Sequence, residues 1–258
     1  MRLGTSEAIR LSSSLPSFKP SKQEIYYQWL AGLIDGDGSF LLSKKGYASL
    51  EITMDLRDEH ALQIIKQNYG GSIKLRAGIK AIRYRLHHRE GLLLLINNIN
   101  GLLRNPIRII QLNKLCVHYD ITLLPTPPLI HFFNGWLAGL MDSDGTITLN
   151  TTNAELAISI SQKNKYILDL LIPLYKGNVY IDNSKYISWK WYITNKEDII
   201  NLIEYFKVCP LRSAKKGRAH LIPQIYELII LKAHLTPLNS LPNKALSKLV
   251  EKFNHFNL

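Results

Sequence analysis

Four acidic residues recur in one short pattern, Asp-x-Asp-Gly, which spans residues 35–38 and again residues 142–145. Each copy lies at the predicted C-terminal end of a helix, where the negative end of the helix dipole disfavours an acid by roughly a few tenths of a kcal/mol. Carboxylates gathered at such a place are tolerated when a hard divalent cation lies between them, because oxygen ligands hold Mg²⁺ next to phosphate. The pattern predicts a metal-dependent site built from Asp35, Asp37, Asp142 and Asp144.

Two other interpretations of these acids compete with a metal site. An EF-hand calcium loop also begins with Asp-x-Asp, but it needs glycine at its sixth position and glutamate at its twelfth. Phe40 and Gly46 stand at those positions, so the EF-hand is excluded. A purely structural role for all four acids stays open on the acids alone.

The helices that must position the acids belong to an internal repeat. Residues 29–40 and 136–147 are identical at eight of twelve positions, with an offset of 107 residues. Further along, Pro106-Ile-Arg108 is echoed by Pro210-Leu-Arg212, so the repetition covers most of each half. The sequence predicts two related halves, each with the order helix, two strands, helix, two strands, helix.

The sequence of the repeated helix indicates where the helix begins and which face packs against another helix. Ser21 and Glu24 form the pattern of a capping box, which marks a helix N-terminus. Ala31-Gly32 and Ala138-Gly139 place the smallest side chains together inside helices, where a glycine costs about 1 kcal/mol. Small residues let two backbones approach closely. We therefore expect the two repeated helices to pack on each other around a pseudo-twofold axis.

The remaining segments complete the predicted domain organisation. The proline-rich run Leu124-Pro-Thr-Pro-Pro128 cannot lie inside a helix or a central strand, so it is predicted to be a stiff linker. The N-terminal residues are rich in serine and poor in acids, which fits an organellar transit peptide or a disordered leader. The predicted segments are a leader (1–20), an N-terminal half (21–124), a linker (125–130), a C-terminal half (131–235) and a C-terminal extension (236–258).

Composition restricts the class of protein and its partners. The formal net charge of +12 and the pI near 9.6 predict attraction to a polyanion, with nucleic acid favoured over an anionic membrane surface. No apolar run reaches the roughly 18 residues of a membrane-spanning helix, so no membrane association is predicted. Cys116 and Cys209 lie far apart without metal-ligand spacing, which indicates neither a disulfide nor a zinc site and fits a reducing compartment.

Basic residues at alternate positions predict strands with one positive face, because side chains alternate between the faces of a sheet. Lys74 and Arg76 follow this pattern, as do Arg83 and Arg85, and a solvated face is the ordinary alternative. The second half offers hydroxyl, amide and lysine side chains instead, so the two halves would read unequal sequences and the target would be non-palindromic. The predicted DNA-binding residues are Ser39, Lys44, Lys74, Arg76, Arg83, Arg85, Thr146, Thr148, Tyr180, Asn183, Lys185 and Lys190.

The repeated motif resembles the signature of a known family. With Leu-Ala-Gly-Leu-Ile-Asp-Gly-Asp-Gly at residues 30–38 and Leu-Ala-Gly-Leu-Met-Asp-Ser-Asp-Gly at residues 137–145, the sequence is similar to the LAGLIDADG homing endonucleases. It looks like their monomeric, two-motif branch from organellar introns, over about residues 21–235. This resemblance implies an α+β fold of two pseudo-symmetric αββαββα halves. The signature helices would pair at the interface, and saddle-shaped antiparallel sheets would bind the DNA major groove.

The resemblance also implies roles for the acids and their neighbours. The second aspartate of each signature would be catalytic and bind the metal, and the carbonyl of the preceding residue would be a secondary ligand. The first aspartate would be structural and would stabilise its turn by bonding nearby backbone. In this sequence the metal-binding acids are Asp37 and Asp144, the secondary ligands Gly36 and Ser143, and the structural acids Asp35 and Asp142.

Two further catalytic residues are implied for the second half. Family members often carry a lysine early in the last helix of each half, a place that Lys215 fits. They also place a polar residue at the end of the second strand to position water, and Gln162 matches. Aligning Pro106 with Pro210 makes Gln111 the first-half equivalent of Lys215, with Lys114 as a substitute. The first-half counterpart of Gln162 falls near Asp55-Leu56.

Taken together, the resemblance implies an intron-encoded, site-specific DNA endonuclease that makes a double-strand break in a long non-palindromic target to promote intron homing. The expected cofactor is Mg²⁺, with Mn²⁺ as a substitute. The expected partner is double-stranded DNA, bound by a monomer in the mitochondrion or, as an alternative, the chloroplast. An RNA maturase that assists splicing by binding intron RNA is the alternative function, and a DNA-binding regulator without metals is a third. Intact acids in both signatures argue against these two.

Overall fold

The protein's structure is a computed structural model that describes residues 20–127, 131–183 and 187–255. Most of the predicted leader, residues 1–19, and residues 128–130 of the predicted linker therefore lie outside the described residues. The first half runs through α1 (Lys22–Asp37), β1 (Gly38–Leu42), β2 (Ala48–Asp55), α2 (Glu59–Tyr69), β3 (Ser72–Leu75), β4 (Ala81–Leu86), α3 (Arg89–Ile99) and α4 (Pro106–His118).

The second half repeats this order, which confirms the predicted α+β fold of αββαββα halves. Each half then continues into one more long helix, α4 or α9, and the counterpart of α2 is divided into two short helices before Pro173, whose ring and missing amide hydrogen prevent the first of them from continuing. The elements are α5 (Trp136–Asp144), β5 (Gly145–Asn150), β6 (Glu155–Gln162), α6 (Lys165–Asp169), α7 (Ile172–Tyr175), β7 (Asn178–Asp182), β8 (Ser188–Ile193), α8 (Lys196–Val208), α9 (Lys215–Ile230) and, in the C-terminal extension, α10 (Leu241–His255).

The strands form one antiparallel sheet in each half, with the same topology. The strand order is β1-β2-β4-β3 in the first half and β5-β6-β8-β7 in the second. Side chains alternate along each central strand, so that Leu50, Ile52 and Met54 of β2 are buried against the helices. The opposite face of each sheet carries mainly polar residues, most of which are exposed or half-exposed. The fold thus supplies two similar surfaces, one on each side of the molecular axis.

Helices α1 and α5 pack against each other along their length, as the small residues predict. A Cβ atom built at Gly32 would overlap the carbonyl oxygen of Trp136, and one built at Gly139 would overlap that of Trp29. The two glycines therefore let the helix backbones touch, a contact that no other residue type permits. The capping box at Ser21 and Glu24 is also confirmed, with both of its hydrogen bonds present.

The first aspartate of each signature joins the two halves. Asp35 accepts a hydrogen bond of 2.7 Å from Trp136 Nε1, and Asp142 accepts one of 2.8 Å from Trp29 Nε1. Both acids are buried, and burial raises the pKa of Asp35 to about 6 although these hydrogen bonds favour the charged form. A structural role with hydrogen bonds to backbone thus suits both acids, but the backbone that they bind does not belong to their own turn.

The backbone partners of these two acids lie about seventy residues further along the chain. Asp35 accepts from the amides of Arg104 and Asn105, and Asp142 from those of Arg212 and Ser213. Residues 104–105 therefore correspond to residues 212–213. The proline echo between residues 106 and 210 is wrong as a structural equivalence, because Pro106 begins α4 whereas Pro210 lies before the segment that binds Asp142.

The C-terminal extension packs onto the second half. Phe253 of α10 is buried, and its carbonyl accepts from Nε of Arg218 in α9 at 3.2 Å. Nη1 of Arg218 donates to the carbonyl of Ile147 in β5 at 2.9 Å, so one side chain ties the extension to the sheet. Within the described residues, no helix combines the length and the apolarity that crossing a membrane requires.

Candidate active site

Asp37 and Asp144 are the last residues of α1 and α5, so the pairing of the helices brings both acids to one place. A Cβ atom built at Gly36 would lie 2.5 Å from Oδ2 of Asp144, which shows how closely the carboxylate approaches the other half. Burial and the charge of Asp144 raise the pKa of Asp37 to about 7. Burial also raises the pKa of Asp144. Two ionised carboxylates are therefore unfavourable here without a cation.

Lys215 is the first residue of α9 and lies beside these acids. Its Nζ donates to three successive carbonyls at the end of α5, those of Met141 at 3.0 Å, Asp142 at 2.8 Å and Ser143 at 2.8 Å. The ammonium thus offsets the negative end of the helix dipole, which would otherwise repel the carboxylates beside it. Burial lowers the pKa of Lys215, while the surrounding acids raise it. The position agrees with the prediction, and the catalytic role stays a prediction.

The cation of the first half is Arg108, which sequence reasoning missed. Its Nη2 donates to the carbonyl of Gly36 at 3.2 Å, as Lys215 does to the equivalent carbonyl in the second half. The predicted equivalent, Gln111, instead accepts a hydrogen bond from the Phe40 amide, and the substitute Lys114 is exposed on α4. Both of those assignments are wrong. The repeat offset of 107 residues, applied directly to Lys215, leads to Arg108.

Gln162 ends β6 as predicted, and its Nε2 donates to Oδ2 of Asp144 at 2.7 Å. The strand registers pair Gly145 with Ile160 and Gly38 with Ile52, so the first-half counterpart of Gln162 is Met54. Met54 is buried and apolar. The predicted region around Asp55 is therefore shifted by one residue, and Asp37 and Asp144 have unequal neighbours.

The oxygen atoms at this place fit a hard divalent cation. They comprise the two carboxylates and the carbonyls of Gly36 and Ser143, each of which keeps a second lone pair beside its bond to Arg108 or Lys215. Among the described residues, no group of three or more His, Cys, Asp or Glu side chains could hold a metal. Water and substrate phosphate would have to complete the coordination, which is how Mg²⁺ is usually held.

Asp58 is a buried acid of the first half that supports the active-site helix of the second. Its Oδ1 accepts from the amide of Ala214, the residue just before α9, at 2.7 Å. Replacing Asp58 with Ala would leave this partly buried amide without its acceptor, a loss that costs about 1–3 kcal/mol. We expect the free energy of unfolding of Asp58→Ala to fall by that amount in urea titrations.

Asp58→Asn is the matched control, because its amide oxygen can still accept from Ala214. The free energy of unfolding of the Asn variant is expected to fall by less than half as much as that of the Ala variant. An equal loss in both would contradict a role based on the hydrogen bond and would indicate that the charge of Asp58 is what matters.

The outer face of the first sheet carries the predicted basic residues. Arg83 and Arg85 of β4 lie on it together with Lys74 of β3, and Lys74 stands directly opposite Arg83. Like charges at opposed positions repel each other, so this face is suited to a polyanion. The other predicted contacts in this half are Ser39 on the same face of β1, Lys44 in the turn after β1 and Arg76 just beyond β3.

The outer face of the second sheet is mostly uncharged. Tyr180 of β7 pairs with Lys190 of β8, and the two rings of Tyr180 and Tyr192 meet edge to face at 5.1 Å. Asn183 is exposed after β7, and Lys185 lies outside the described residues. A shallow groove along this face is lined by Thr146, Thr148, Ala157, Ser159, Tyr180, Lys190 and Tyr192.

Both halves match one family model, described as LAGLIDADG endonuclease, over residues 30–117 and 137–226. The matched residues make up more than half of the chain. The chain belongs to the LAGLIDADG endonuclease family. The two matches run from within α1 to α4 and from α5 into α9, so each LAGLIDADG half contributes one signature helix, one sheet and one candidate catalytic acid to the arrangement described above.

Several curated relatives share this LAGLIDADG region. The chain is 42% identical over 235 residues to the intron-encoded RNA maturase bI4 of Saccharomyces cerevisiae, covering 89% of this chain and 37% of that protein. It is 37% identical over 260 residues to the probable intron-encoded endonuclease aI2 of Debaryomyces hansenii, covering 94% of this chain and 39% of that protein. The intron-encoded DNA endonuclease ai2a of Dictyostelium discoideum is 40% identical over 206 residues, covering 78% and 66%. The chain thus spans less than two fifths of the first two relatives.

Solved LAGLIDADG structures share the fold. The meganuclease I-SmaMI bound to uncleaveable DNA with a TTGT central four superposes with a TM-score of 0.63 at 20% identity, covering 88% of this chain and 97% of that one. The LAGLIDADG meganuclease I-AabMI bound to uncleaved DNA gives a TM-score of 0.63 at 16% identity, covering 88% and 98%. At these identities the comparison establishes a common arrangement of two halves.

Proposed function

We propose that the protein is an intron-encoded, site-specific endonuclease that makes a metal-dependent double-strand break in a long non-palindromic DNA target and so promotes intron homing. The observation that carries the proposal is the convergence of Asp37 and Asp144, one from each half, between two sheets with polar outer faces. One acid for each DNA strand accounts for the duplication.

Asp37 and Asp144 would hold Mg²⁺ with help from the carbonyls of Gly36 and Ser143, and Mn²⁺ would substitute. When bound, the ions supply an activated water and stabilise charge on the attacking and leaving oxygens of an in-line displacement. The raised pKa of Asp37 means that the metal competes with a proton for this carboxylate, because ligation requires the ionised form.

The neighbouring side chains would act on the scissile phosphates and on the acids. Lys215 and Arg108 hold positive charge beside the two catalytic acids, where it would stabilise the extra negative charge of the transition state. Gln162 holds Oδ2 of Asp144 by a hydrogen bond, which orients the carboxylate, and its amide would lie next to the attacking water. The first half has Met54 at this position, so we expect the two strands to be cut at unequal rates.

The two outer sheet faces would read the target. Basic residues of the first sheet suit phosphates and guanine edges, whereas the hydroxyl groups of the second suit varied base edges. Because these surfaces differ, the target is proposed to be non-palindromic. The paired helices lie within one chain, so the active form is proposed to be a monomer, with the mitochondrion as its location and the chloroplast as the alternative.

The test of this proposal is cleavage of a plasmid library that carries candidate sites, with Mg²⁺, with Mn²⁺ or with EDTA. We expect linear product with either metal and none with EDTA. DNA binding should weaken by roughly 10³-fold or more between 50 and 200 mM salt if six or more phosphates are contacted. Linear product in EDTA, or no cleavage of any sequence with metal, would contradict the proposal.

An RNA maturase is the second candidate function, favoured by the 42% identity to a protein of that name. The basic sheet faces serve either polyanion, and the same acids would then be dispensable. Splicing of the host intron in vitro, with and without the protein, separates the two functions. Splicing that depends on the protein but not on Asp37 and Asp144, without DNA cleavage, would favour the maturase.

A further inference from the structure

One acid lies among the basic residues of the first sheet. Glu51 is on the central strand β2, on the outer face, directly opposite Ser39 on one side and Arg85 on the other. Its carboxylate forms ion pairs with two arginines, Oε2 with Nη1 of Arg83 at 3.2 Å and Oε1 with Nε of Arg85 at 3.3 Å. The Glu51 side chain is only 19% exposed, against 41% and 53% for the two arginines.

A carboxylate at this place is unexpected on a surface that binds DNA, because it repels phosphates and cancels part of the positive charge. The same carboxylate holds two flexible side chains in fixed positions. Arg85 turns its Nε towards Glu51, which leaves Nη1 and Nη2 for a bidentate contact with an acceptor pair. An arginine held in this way presents its two terminal nitrogens in one orientation, which suits the fixed acceptor pair of a base edge.

We propose that Glu51 is a specificity-determining residue, which fixes Arg83 and Arg85 so that they read guanine in the major groove. Guanine O6 and N7 are the acceptor pair that a bidentate arginine recognises. Glu51 lowers affinity for DNA in general and raises discrimination between targets. This inference rests on the proposed function, since it requires that the first sheet read DNA.

The second half has no acid paired with arginines at the corresponding position. The strand registers make Ser159 of β6 the counterpart of Glu51, because it stands opposite Thr146 as Glu51 stands opposite Ser39. Its other neighbour across the sheet is Tyr192, an uncharged residue. Guanine preference set by paired arginines is therefore expected in one half of the target only.

The experiment selects bound sequences from a randomised duplex library, in EDTA so that nothing is cut, with the wild-type protein and with Glu51→Gln. Arg83→Lys and Arg85→Lys identify which target positions each arginine reads. We expect Glu51→Gln to lower guanine preference at least about fivefold at those same positions. We also expect its affinity for unrelated DNA to rise, with a salt slope steeper by up to about 0.9.

Lys74→Ala is the control for a residue that contacts phosphate, because it should weaken binding of every sequence alike. A changed preference for cytosine at a separate position would overturn the inference, because it would indicate that Glu51 reads a base directly. An unchanged selection profile in Glu51→Gln would also overturn it. If the wild-type protein enriches no sequence at all, the proposed function itself fails, and the two failures are thereby distinguished.

Discussion

Replacing Asp37 or Asp144 with Asn is expected to lower double-strand cleavage by about 1000-fold or more. Asn keeps the shape of the side chain but removes the charge that holds a divalent cation, and the loss should match or exceed that of a single donor at a charged transition state. Each acid comes from one half, so either single variant should accumulate nicked rather than linear plasmid. Gel analysis of supercoiled, nicked and linear forms over time measures this directly.

Two comparisons make that result specific to the site. Asp169→Asn removes an exposed acid of α6 that is paired with Lys165, and it should leave cleavage unchanged. DNA binding by the two active-site variants should be kept or become tighter, since two buried like charges are reduced to one. Wild-type cleavage rates in both variants would refute the assignment of these acids.

The second large effect is expected on stability, from Gly32→Ala or Gly139→Ala. A Cβ atom at Gly32 would overlap the Trp136 carbonyl and lie 2.9 Å from the Leu140 amide nitrogen, and backbone atoms cannot rotate away. Overpacking in a core costs about 1–3 kcal/mol and more where relief is blocked. We expect each substitution to lower the free energy of unfolding by about 3 kcal/mol or more, and the melting temperature by roughly 6–12 °C.

Gly78→Ala is the control for the interface glycines. A Cβ atom there meets nothing within 4 Å, so only the positive φ of 78° opposes the substitution, at a cost of about 1–2 kcal/mol. Calorimetric scans of the variants under the same conditions provide the comparison. If the Gly32 and Gly139 variants lose no more stability than the Gly78 variant, the helices can separate slightly at little cost in free energy.

The fold was predictable because local signals agreed with one another. The repeated motif, the glycines inside helices and the capping box at Ser21 are all short-range features, and the structure confirms the interface that they predict. The acids of the signatures could be located in the same way. Their position follows from the end of a helix that the motif itself defines.

Residues that depend on long-range register were harder to predict. Arg108 was missed because Pro106 and Pro210 are offset by 104 residues rather than by the 107 of the repeat, so aligning the prolines placed the equivalent of Lys215 three residues too far along α4, at Gln111. Met54 was missed for a similar reason, since the β2 strand is offset by 108 residues rather than 107. Asp58 and Glu51 act through partners 156 and 32 or more residues away, which no local pattern reveals.

The crossed bonds between Trp29 and Asp142, and between Trp136 and Asp35, bear on how the gene has changed since its duplication. Loss of either tryptophan would remove one hydrogen bond from a buried acid in the other half, so a change in one signature helix affects the other. Strands β3 and β7 take no part in those bonds. This accounts for a chain whose centre has kept its inherited symmetry while its two outer sheet faces have diverged, one basic and the other mostly uncharged.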